Sequence, residues 1–60
     1  MIACNIVIYG QVEPVQMTLP AIPTIGSVIA RSSDPKSEHY LVECVEYING
    51  HDTVNLHVQP

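Results

Sequence analysis

The side chains able to do chemistry in this sequence are His39, His51, His57, Cys4, Cys44, the turn serines and a few carboxylates. A zinc centre draws its ligands from cysteines and histidines at short fixed spacings, because those spacings put several donors on one turn or helix face. His39, His51, His57 and Cys44 sit in no CxxC, HExxH or comparable cluster, so neither a metal nor another cofactor is expected. A serine nucleophile needs a histidine and an acid beside it. Ser27, Ser32, Ser33 and Ser37 lie in turns without such partners at a suggestive spacing. Cys44 has no cationic neighbour to favour its thiolate, and Glu43 and Glu46 read as the solvated face of a strand. A chain of 60 residues also has little wall to enclose a substrate pocket of roughly 300–1,000 Å³. No catalytic residue is expected, and the chain does not read as an enzyme.

Charge narrows the remaining classes. Glu13, Asp34, Glu38, Glu43, Glu46 and Asp52 face only Arg31 and Lys36, for a net charge of −4. Nucleic-acid binding calls for a basic groove and stacking platforms, whereas the only aromatics are Tyr9, Tyr40 and Tyr47. Nucleic acid is therefore disfavoured as a partner. No apolar run approaches the roughly 18 residues of a membrane span, and no signal-peptide pattern opens the chain, which points to a cytoplasmic protein. Two cysteines are too few for a disulfide scaffold. They are expected to be reduced and buried, with a Cys4–Cys44 bridge left open.

With 47% hydrophobic and 13% charged residues, the chain is too apolar to be disordered and forms one domain, residues 1–60. No segment holds a helical period, and Val and Ile are abundant, so the expected class is all-β. Gly10-Gln11 suits a two-residue type II′ turn. The hairpin it makes sets Ile6 opposite Val15, Cys4 opposite Met17 and Ile2 opposite Leu19 on one face. Pro14 cannot donate to a ladder, which makes the second strand an edge or places a bulge there.

Pro20 and Pro23 hold an extended crossing that packs Ile22 and Ile25 inward, although its PxxP spacing also fits a polyproline ligand. Gly26 turns the chain into a short strand, Val28 to Arg31, and Ser32 to Ser37 form a polar loop. For the second hairpin, a four-residue loop, Asn49 to Asp52, with a bulge near Cys44-Val45 keeps the faces consistent. It sets Val42, Val45 and Tyr47 against Val58, Leu56 and Val54 inside. Glu43 then faces His57 and Glu46 faces Asn55 outside.

This order of hairpin, proline-pinned crossing, short strand, long bent strand and terminal strand resembles the SH3-like small barrels. The residues behind the resemblance are Leu19-Pro20-x-x-Pro23-x-Ile25-Gly26-Ser27-x-Ile29, Tyr40-x-Val42-x-x-Val45 and Val54-x-Leu56-x-Val58. A similar layout occurs in short uncharacterised proteins of bacteria and their phages, typically with Asp where this chain has Ser27. The resemblance implies a single five-stranded antiparallel barrel or strongly bent sheet and a phage or mobile-element origin, and it carries over no functional residue.

A chain this short buries only about 60% of its unfolded surface, so self-association is a natural source of further burial. In the expected register Val7, Tyr9 and Val12 form an apolar patch on the outer face of the first hairpin, the candidate surface for a homodimer. The competing arrangement folds the Pro20–Gly26 segment over that patch within one chain. The function expected is a non-catalytic, self-associating protein-interaction module. The alternative is a phage-encoded inhibitor whose acidic surface binds a basic surface of a host defence nuclease complex.

Overall fold

Ile2, Cys4, Ile6 and Ile8 alternate with Ala3, Asn5 and Val7, and a strand's side-chain period of two gathers the first set on one face. The computed structural model, which describes residues 1–60, forms strand β1 there (Ile2–Ile8). It is followed by β2 (Val15–Leu19), β3 (Val28–Ala30), β4 (His39–Tyr47) and β5 (Val54–Gln59), with no helix. The strands form one curled sheet, a half-barrel, in the order β2-β1-β5-β4-β3. The all-β class holds, and the strongly bent sheet is the form it takes. β2 and β3 remain separate edges.

The sheet is not wholly antiparallel as expected. β5 returns antiparallel beside β4 and inserts between β4 and β1, and that direction makes it parallel to β1. The first hairpin keeps the expected register, Ile2 with Leu19, Cys4 with Met17 and Ile6 with Val15. Its turn is different. Gln11 N–H donates to Ile8 O at 3.0 Å, so Tyr9 and Gly10 are the central residues and Gly10 takes the left-handed φ of 89°. A two-residue connection therefore becomes the longer stretch from Tyr9 to Pro14, with Pro14 outside the ladder where its missing N–H is harmless.

The second hairpin also closes on a longer loop. His51 N–H donates to Ile48 O at 3.1 Å, with Gly50 at φ 85°, and the strands resume with Tyr47 opposite Val54. The bulge lies between Val42 and Cys44, one position before the expected one. Glu43 is the extra residue, so Cys44, not Glu43, becomes the partner of His57.

The inner face buries nine residues: Cys4, Ile6, Ile8, Ile29, Tyr40, Val42, Val54, Leu56 and Val58. Ile22 packs against this cluster from the crossing segment. Ile25 does not, contrary to expectation. It sits in a turn closed by Ser27 N–H to Thr24 O at 3.1 Å, which leaves it exposed. Tyr40 sinks its ring into the core and donates its hydroxyl to Glu38 Oε2, which Arg31 Nη1 approaches at 3.4 Å. The Tyr40 hydrogen bond, more than Arg31, holds the Glu38 carboxyl below its usual value, and the same bond raises the Tyr40 phenol.

Candidate functional site

What β1, β5 and β4 do not turn inward they display on the outer face of the sheet. In one row across this face Gln16, Asn5, Asn55 and Glu46 are successive partners on β2, β1, β5 and β4. In the next row Val7, His57 and Cys44 are successive partners on β1, β5 and β4. The crossing segment packs Ile22 on the opposite, inner side, so the covered arrangement considered for this patch is not the one adopted.

The polar row is a directed chain of hydrogen bonds. Asn5 Nδ2 donates to Asn55 Oδ1 at 3.2 Å, and Asn55 Nδ2 donates to Glu46 Oε1 at 3.1 Å. His57 Nε2 lies 3.1 Å from that same oxygen. A carboxylate oxygen only accepts, so the shared proton belongs to Nε2, and in the neutral ring Nδ1 is the nitrogen with the free lone pair. The Asn55 hydrogen bond, followed by that of His57, holds the Glu46 carboxyl below its ordinary value. Glu46 thus takes the role toward His57 that the sequence assigned to Glu43.

Beside the row, Val7, Tyr9, Glu43, Cys44, His57 and Val58 line an open depression of about 440 Å³. A second, of about 300 Å³, lies toward the other end of β1 among Ala3, Asn5, Gln16, Thr18 and Thr53. Of the residues expected to form the contact patch, Val7 and Tyr9 share the first depression. Val12 does not line it and stands in the β1–β2 connection at 99% exposure. The residues that the sequence did not bring to this face are Cys44 and its pairing with His57.

The thiols differ accordingly. Cys4 is buried on the inner face, and burial raises its thiol. Cys44 is exposed on the outer face, which corrects the expectation of two buried cysteines. Both are free, so no bridge joins them. The physical reason is parity: one inserted residue at Glu43 moves Cys44 from the apolar set to the outer set. Within a single chain no group of three or more His, Cys, Asp or Glu side chains converges to hold a metal ion.

Fold and site together define a small all-strand half-barrel with an uncovered outer face that joins a hydrogen-bonded polar row to a partly apolar depression. No protein-family model, no curated protein and no solved structure matches the chain. No helix is long and apolar enough to cross a membrane.

Proposed function

We propose that this chain is a non-catalytic protein-interaction module that self-associates as a homodimer through the outer face, with Val7 and Tyr9 at the centre of the contact and Val12 at its rim. One observation carries the reading. Nine residues are buried, while eight large apolar side chains are displayed, Tyr9 at 83% and Val12 at 99% exposure among them. Of these, Tyr9 shares one depression of the outer face with Val7, and an exposed apolar patch of this kind marks a contact site. A tyrosine suits such a contact because its ring is large and its hydroxyl can satisfy itself at the rim. A twofold arrangement sets the face against its own copy. The resemblance to SH3-like barrels of short bacterial and phage proteins belongs to the same proposal.

Sedimentation equilibrium of the wild type beside Tyr9→Ser with Val7→Ser tests it. The expected result is a dimeric wild type and a folded, monomeric double variant. A monomeric wild type, or a double variant that stays dimeric, overturns the proposal.

Glu43 and Glu46 at the same face, on a chain of net charge −4, support a second reading in which the partner carries a basic patch. The two readings separate by ionic strength, which screens exposed charges over a Debye length of about 8–10 Å near physiological salt. Association of like-charged copies strengthens as salt rises, whereas binding to a basic surface weakens.

A further inference from the structure

Cys44 and His57 are two metal-ligand side-chain types set side by side on the outer face. They are register partners beside the Glu43 bulge and line the same depression, where one thiolate and one imidazole can turn to a common ion at about 2.0–2.3 Å. The imidazole is already prepared for this. Ligating histidines characteristically donate their other ring N–H to a carboxylate, which fixes the tautomer and makes the free nitrogen a better donor. His57 Nε2 meets Glu46 Oε1 at 3.1 Å, and Asn55 and Asn5 orient that carboxylate in turn. The thiol of Cys44 is free and exposed beside it in the same depression.

One chain provides no third ligand at this point. A second copy provides two. Resting on the self-association proposed above, we infer that two copies meeting across a twofold axis at this depression bind one thiophilic dication of the zinc class, held by Cys44 and His57 of each. Such a Cys2His2 set is tetrahedral and closed, as structural zinc sites are. Softness favours the same class of ion, since thiolate and imidazole select zinc over the oxygen-seeking magnesium and calcium. On binding, each Cys44 thiol releases its proton to solvent and its sulfur pair bonds the metal, with no change of oxidation state.

The full chain, kept reduced with a phosphine, is titrated with cobalt(II) alone while its mass is followed by sedimentation equilibrium. Thiolate-to-cobalt charge transfer with the visible bands of tetrahedral cobalt, saturating at one metal per two chains, is the expected result, and zinc should displace the cobalt. Cys44→Ser removes the charge-transfer band and His57→Ala weakens binding, each with an unchanged far-UV spectrum because both side chains are outside the core. Glu46→Gln, which keeps the side chain's shape but weakens its pull on the imidazole proton, lowers affinity by about 10- to 100-fold. A wild-type dimer that takes up no cobalt overturns the metal site and leaves the self-association standing. One cobalt per monomeric chain overturns the shared site, and a monomer that binds no metal overturns both.

Discussion

On the inner face of β4, Tyr40 meets Ile29, Val42 meets Val58 and Val45 meets Leu56; on the outer face of the same strand, Cys44 meets His57 and Glu46 meets Asn55. The inner contacts are apolar carbon against apolar carbon, and what they contribute depends on volume and exclusion of water. The directional bonds of the outer face run from Asn55 and His57 to Glu46, groups that water would also satisfy, so they add little to folding free energy. The contrast separates what keeps the chain folded from what the fold presents.

The largest effect that can break this contrast is a cavity on the inner side. Leu56 is fully buried, and Leu56→Ala is expected to lower stability by about 2–5 kcal/mol in urea unfolding. A loss below about 1 kcal/mol would mean that the inner face is not the stabilising one. Val45 is half-buried opposite Leu56, so Val45→Asp should lose about 1–3 kcal/mol as its carboxylate is drawn partly out of water.

Alkaline pH probes the inner face through its two titrating groups. Burial raises the Cys4 thiol, and the hydrogen bond to Glu38 raises the Tyr40 phenol. The folded state therefore holds these protons where the unfolded chain has begun to release them. Their contribution is complete below the ordinary values and is lost as pH climbs through the raised ones, so melting temperature should fall above about pH 9. In Tyr40→Phe that alkaline decline should be shallower.

The smallest effect belongs to the outer face. Glu46→Ala should lower the melting temperature at neutral pH only slightly, far less than Leu56→Ala does. Because the Glu46 carboxyl is held below its ordinary value, its contribution is present above the unfolded pKa and fades as pH falls through the folded one. The wild type should therefore converge on the variant in acid. A Glu46→Ala protein that melts as early as Leu56→Ala would erase the distinction between the faces.

Most of the inner face was readable in the residues. The alternation from Ile2 to Ile8 and from Val54 to Val58 leaves one face with a continuous apolar row, and a slip of register by one would have exposed it. The positions of Pro14, Pro20 and Pro23 confined their segments to edges and crossings. The turns were less readable, because Gly10 and Gly50 each serve the third position of a turn as well as the second. The parallel pairing of β1 with β5 joins residues fifty positions apart, and local pattern contains no term for it. The site was missed by one residue. A bulge at Glu43 and a bulge one position later bury the same valines, but only the first sets Cys44 against His57. Apolar pattern is blind to that choice because both residues at stake face outward.

The parallel pairing also governs how the chain must reach this structure. The strand with neighbours on both sides near the middle of the sheet, β5, is the last in chain order, and it meets β1 across nearly the whole length of the sequence. Hairpins β1–β2 and β4–β5 close over short loops, but docking one on the other must first close a long one, whose entropy is lost before any contact returns it. Folding should accordingly run in milliseconds to seconds rather than microseconds. Throughout that interval β1 and β5 each hold out an unpaired ladder, and that is when a nascent chain of this design is most open to capture by a neighbour.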